Sequence, residues 1–175
     1  YTINNSNYSL SQPTGLTANI TAKELTITGL SGVSRVYDAT TGATLTGIGS
    51  LFGVISGDSV TLGGTSVADF NDANVGTGKA ITVSGYTINN SNYSLSQPTG
   101  LTANITQKAL TITGLTANNK IYDTTTTAPL SGTGSLIGVL GSDSVTLGGT
   151  YVANFNNANV GTGKAITVSG YSINN

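Results

Sequence analysis

Apolar and polar residues alternate along short stretches of this chain. Leu25 and Ile27 alternate with Thr26 and Thr28 in LTIT. Val60 and Leu62 do so in SVTLG, Ile81 and Val83 in KAITVSG, and Leu101, Ala103 and Ile105 in LTANIT. Period-two alternation bounded by Gly, Asn and Asp is the pattern of a strand with one dry face. No window of about eleven residues carries the apolar stripe of an amphipathic helix. About seven short strands in about 85 residues predict an all-β fold, an antiparallel β-sandwich. Leu25, Ile27, Val60, Leu62, Ile81, Val83, Leu101 and Ile105 are its expected core. A β-grasp-like sheet and a β-helix are the alternatives. The β-helix is disfavoured because no sub-period of about 20 residues appears.

The pattern comes twice. YTINNSNYSLSQPTGLTANIT at 1–21 recurs unchanged at 86–106, and KELTITGL at 23–30 is answered by KALTITGL at 108–115. The same offset relates DSVTLGGT at 58–65 to 143–150 and NVGTGKAITVSGY at 74–86 to 159–171. A solenoid repeat runs roughly 20–50 residues, so this longer period fits a small domain with its own core. Tandem domains follow, and the family resemblance given below implies their bounds: residues 1–22 as terminal strands of a preceding or donated unit, 23–107 as a complete unit, and 108–175 as a second unit without its last strands. The copies differ mostly at 31–36, 42–48 and 55–57, which read as loops and their flanks.

Composition narrows the function classes. Charged residues make up 7% of the chain, where roughly a quarter is usual. Hydrophobic residues reach 37% and the net charge is −1, so the composition is not that of a disordered chain. Six basic residues supply no patch for phosphates, which argues against nucleic acid. No apolar run approaches the ~18 residues of a membrane span, so no membrane insertion is expected. The chain opens on Tyr1 and reads as part of something longer.

Candidate chemistry is sparse. With no His and no Cys, the usual bases and the best nucleophile are missing, and no enzyme activity, catalytic residue or cofactor is expected. VGTGKA at 75–80 lacks the spacing of a phosphate loop and precedes a strand rather than a helix. Asp69 and Asp72 in ADFNDAN are weak Ca²⁺ candidates. The second copy, ANFNNAN, has Asn154 and Asn157 in their places, which argues against a metal required in every unit. Lys79 and Lys164, each opening a strand, are the natural donors should the domain close an isopeptide bond.

One signature stands out: RVYDATT at 35–41 and KIYDTTT at 120–126. In the order K-x-L-T-I-T-G, Y-D-T-T, D-S-V-T-L, A-N-V-G-T-G-K-A-I-T-V-S-G, N-Y-S-L and L-T-A-N-I-T, the whole period resembles the YDG-type repeats of large bacterial surface proteins. These include filamentous-haemagglutinin-like adhesins. Ala39 and Thr124 stand where that family usually has Gly, and a changed local turn is expected because both resist positive φ. The resemblance implies a secreted stalk or adhesive repeat on the bacterial cell surface, with an Ig-like β fold. Tyr37 and Tyr122 are expected to pack over a sandwich end with their hydroxyls on backbone partners. Asp38 and Asp123 are expected to accept from backbone N–H groups of the Thr-rich turn.

The function expected is structural: a repeat of an extracellular fibre or stalk, with other copies of itself as head-to-tail partners. Tyr8, Leu10, Leu16, Ala18 and Ile20 are the residues expected to enter a neighbour's incomplete end by strand donation; the alternative is a longer covalent array in which the missing strands lie outside this sequence. The alternative is that the repeats themselves bind a glycan or a surface, with cell-surface or matrix glycans as partners.

Overall fold

A computed structural model describes residues 2–141 and 143–174. Among them all regular structure is β. The strands are β1 (Lys23–Val33), β2 (Arg35–Val36), β3 (Thr44–Phe52), β4 (Leu62–Phe70), β5 (Gly76–Ile88), β6 (Tyr93–Leu95), β7 (Thr102–Thr106), β8 (Thr111–Ala117), β9 (Leu130–Ile137), β10 (Thr146–Phe155) and β11 (Ile166–Asn174). Two compact units result. One holds the chain up to Ser31 with Thr46–Val67 and Val83–Thr99; the other holds Gly32–Leu45, Ala68–Thr82 and the chain from Gly100.

In the first repeat β3-β1-β6 form one sheet and β2-β7-β5-β4 another. Of these pairs only β4 and β5 are consecutive in the chain; β6 stands at the edge of the first sheet, and β7 lies between β2 and β5 in the second. There β6 pairs parallel with β1 (Lys23↔Tyr93, Leu25↔Leu95), and β7 pairs parallel with β2 (Arg35↔Ile105). The antiparallel expectation is corrected at these two pairs. A strand that closes the domain by a long return can run either way, and alternation within it does not say which. On its other side β7 pairs antiparallel with β5 (Gly76↔Ile105, Lys79↔Ala103, Ala80↔Thr102).

Leu25, Ile27, Val83 and Tyr93 are buried in one unit, and Phe70, Ile81, Ala103 and Ile105 in the other. Val60, Leu62 and Leu101, expected in the core, are only half-buried, and Val60 precedes β4. The strands are also longer than the alternation implies. β1 continues through Gly29 and β5 through Gly85, both at positive φ. A Cβ on Gly85 would sit 2.1 Å from the Thr65 carbonyl oxygen, so only glycine admits the close crossing there. Of the segments read as loops, 31–36 and 44–48 lie largely on strands, whereas 55–57 is a turn between β3 and β4. Val33, Val36 and Ile48 are exposed positions of β1, β2 and β3. Their faces are solvated, so sequence change there is tolerated.

Among the described residues the second repeat keeps the paired strands β8–β9 and β10–β11 and shows no counterpart of β6 or β7. β8–β9 form one two-stranded sheet and β10–β11 another. Where β1 starts at Lys23, β8 starts three positions late, at Thr111. Where β5 starts at Gly76, β11 starts five positions late, at Ile166. Lys120–Ile121, the counterparts of β2, form no strand. These are the positions that pair with β6 and β7 in the first repeat.

Candidate functional site

The YD signature builds a corner. Asp38 Oδ1 accepts from Thr40 N at 2.9 Å and from Thr40 Oγ1 at 2.8 Å, an Asx-turn. Arg35 pairs with Asp38 and also donates to the Thr40 carbonyl, and its guanidinium lies 5.3 Å from the centre of the Phe70 ring. The second copy repeats the design. Lys120 Nζ reaches Asp123 Oδ1 at 2.7 Å and the Thr125 carbonyl at 2.8 Å, over Phe155 at 5.9 Å. Thr125 N donates to Asp123 at 3.0 Å. The cation, first, and the turn N–H groups hold both carboxyls at about 2, well below the usual carboxylate range. The Asp carboxylate and the cation three residues before it thus both engage the same turn in each repeat.

Ala39 and Thr124 both take φ +65°. The turn is therefore kept, not changed as the substituted glycine predicts. The Asx-turn and the cation fix the backbone on both sides, and the side chains accept the left-handed region at a cost in strain.

Tyr37 is half-buried, and its hydroxyl donates to Asp143 Oδ2 at 2.9 Å rather than to backbone. Tyr122 is exposed. A tyrosine that the sequence did not single out has the more enclosed place. Tyr93 is 6% exposed, donates its hydroxyl to Asp58 and accepts from Ile55 N at 3.2 Å. Asp58 and Asp143 are equivalent positions of the two repeats, so both serve a tyrosine. Their carboxylates raise the pKa of Tyr93 and of Tyr37 above the ordinary phenol value. The available signal was the Tyr in N-Y-S-L, which alternates with Leu95 and recurs as Tyr8.

Of the weak cation candidates, Asp72 accepts from Lys79 Nζ and from Asn74 N, both at 2.7 Å. Lys79, then the Asn74 amide, lowers its pKa. Asp69 accepts from Thr41 Oγ1 at 3.2 Å. The pair therefore does not converge on one point. In the second repeat Lys164 Nζ reaches Asn157 Oδ1 at 2.6 Å. Among the described residues no three of His, Cys, Asp and Glu cluster as metal ligands would.

The strand-donation candidates lie in a segment with no strand. Tyr8 is 71% exposed against 6% for Tyr93; Ile20 is fully exposed against 1% for Ile105. Leu10, Leu16 and Ala18 are exposed too. A 780 Å³ cavity is lined by Tyr37 and Val75 of the first repeat together with Leu110, Leu140, Asp143 and Val145 of the second. Apolar positions of the second repeat are correspondingly bare. Ile112 is 40% exposed where Ile27 is 9%, and Val168 is 39% where Val83 is 4%.

The family described as YDG domain matches the chain over residues 21–100 and again over 106–175. No curated protein matches the chain, and no solved structure does.

Proposed function

We propose that this chain, which belongs to the YDG domain family, is a structural repeat of a bacterial extracellular fibre or adhesin stalk, of the filamentous-haemagglutinin-like kind. The observation that carries this reading is the use made of the signature residues. Arg35, Asp38 and Thr40, like Lys120, Asp123 and Thr125, are engaged with one another and with their own turn. Residues spent on bracing a corner serve a scaffold. Solvated strand faces rich in Thr, Ser and Asn suit an exposed spacer. Chains of two, four and six repeats, imaged or measured by small-angle scattering, test it. A maximum dimension that grows by a constant step per repeat supports a stalk; a dimension that stays nearly constant contradicts it.

A second reading has one specific observation in its favour. Tyr151, part-exposed, stacks on Tyr171 with ring centres 5.2 Å apart, a two-ring surface of the sort sugars stack against. Ser66 stands at the equivalent place of the first repeat, so this surface belongs to one unit and not to the repeat as such. Glycan binding abolished by Tyr151→Ser would establish this reading; binding unaffected by it would remove it.

A further inference from the structure

We propose that the signature tyrosine, Tyr37, fastens one repeat to the next: its hydroxyl, held by Asp143, fixes the attitude of the second repeat against the first repeat's β2-β7-β5-β4 sheet. This goes beyond the stalk reading, because a spacer can equally be a string of loosely tethered domains.

The tyrosine stands where the chain leaves the first repeat. Its N–H donates to the Thr106 carbonyl at 2.9 Å, and Thr106 Oγ1 donates to the Arg35 carbonyl at 3.3 Å. Thr106 ends β7, and only Gln107, Lys108, Ala109 and Leu110 stand between it and β8. A link of that length keeps two domains close and leaves their rotation free. On the other side of Tyr37 the Asp38 Asx-turn fixes the backbone. The side chain is therefore aimed by its own repeat, and its partner, Asp143, lies 106 residues further on, in the second repeat. Val75 of the first repeat and Leu140 and Val145 of the second line the same space, so apolar side chains flank the bond. The second compact unit accordingly unites Gly32–Leu45 and Ala68–Thr82 with the whole of the second repeat.

The bond uses residue types that both copies carry. Tyr122 is the counterpart of Tyr37, and Asp58 of Asp143. Asp58 accepts from Tyr93 of its own repeat through Oδ2. A carboxylate has about four lone-pair sites on its two oxygens, so one Asp at this position can take the tyrosine of its own repeat and the signature tyrosine of the repeat before it. Arg35 and Asp38 are engaged in the corner, and the tyrosine between them in sequence is the group that reaches outward. A hydroxyl on a carboxylate is a charge-assisted bond, directional and about twice as strong as a neutral one. Over a small interface such a bond sets an angle, and its loss frees the joint without unfolding either repeat.

The chain has no Cys, so a pair of spin labels can be attached cleanly. Thr102→Cys on β7 and Thr150→Cys on β10, both at exposed positions, report the distance across the joint by pulsed electron paramagnetic resonance. The labelled full chain is expected to give a narrow distance distribution. Tyr37→Phe, which removes only the hydroxyl, should lose the narrow distribution, and so should Asp143→Ala. Combining the two should broaden it no further, because both delete the same bond. Tyr122→Phe, the same deletion at an exposed tyrosine, should leave it narrow. A distribution already broad before substitution overturns the proposal. So does one that stays narrow in Tyr37→Phe and Asp143→Ala, or one that broadens further when they are combined. The two substitutions act on opposite sides of the joint, so either decides the matter alone should the other lose its strand circular dichroism. A loose joint would still let an array lengthen with each repeat, so the stalk reading is judged separately by the scattering series.

Discussion

Residues 92–106 form two strands, each paired into one sheet of the first repeat, and residues 7–21, with the same sequence, form none. The two copies agree in one respect. The Asx-turn ahead of the tyrosine is present in both: Asn7 N donates to Asn5 Oδ1 at 2.9 Å, and Asn92 N to Asn90 Oδ1 at 3.0 Å. Tyr8 N reaches the Asn5 carbonyl at 3.3 Å, and Tyr93 N the Asn90 carbonyl at 3.2 Å. Contacts within a few residues are therefore carried by the segment itself, while strand structure is conferred by a partner. The receiving side shows the same division. The YD corner is intact in the second repeat, but 108–110 and 161–165, whose first-repeat counterparts pair with β6 and β7, form no strand. Strand preference is in this sense a preference for fitting a half-buried pleated surface, and it is not expressed without that surface.

The sharpest way to break this comparison is a matched pair of truncations. Leu25 is fully buried, whereas Leu110, its counterpart, is half-exposed at the cavity. Leu25→Ala is expected to cost about 2–5 kcal/mol in a urea melt. Leu110→Ala is expected to cost less than about 1 kcal/mol, because little apolar surface is buried to lose. Equal costs would mean that the second core is as closed as the first.

A smaller effect of opposite sign comes from the two left-handed residues. Ala39→Gly and Thr124→Gly relieve positive-φ strain and should each stabilise by about 1 kcal/mol. Thr124, being β-branched, should gain more. In a thermal melt of a domain this size, 1 kcal/mol is about 4–8 °C. A loss of stability at either site would show that the left-handed turn is not populated in solution.

The least discriminating perturbation is acid, and it should treat the two repeats alike because the corner is local. Asp38 and Asp123 are depressed from 3.8 to about 2 in the folded chain. Their contribution is therefore present above about pH 4 and is lost as pH falls from there towards 2. Asp38→Asn should flatten the acid limb for the first repeat, and Asp123→Asn for the second. An acid limb unchanged by both substitutions would show that the carboxylates are not paired. At the other extreme, Tyr93 and Tyr37 are raised, so their contribution is complete below pH 10 and is lost above it as the hydroxyls ionise.

Much of the first repeat was legible because alternation is a one-dimensional signal. Leu25, Ile27, Ile81, Val83 and Ile105 point inward as their spacing implies. What was not legible is what depends on distant partners. Gly29 and Gly85 look like strand ends in sequence, and only the facing backbone makes them mid-strand crossings. The parallel pairing of β6 and β7 spans about 70 residues of chain and leaves no local trace. The Asp38 turn was visible because an Asx-turn needs only its next two residues. The Tyr93–Asp58 bond was not, since it joins residues 35 apart in sequence.

Hydrogen exchange on the two identical segments tests the central claim most directly. Their peptides are told apart by the flanking residue, Ala22 after one and Gln107 after the other. In dilute solution the amides of Thr102–Thr106 should exchange slowly, as a paired strand does, and those of 17–21 at the rate of an unstructured chain. Equal protection of both segments at every dilution would contradict the account, because it would mean the segment holds its strand structure without a partner.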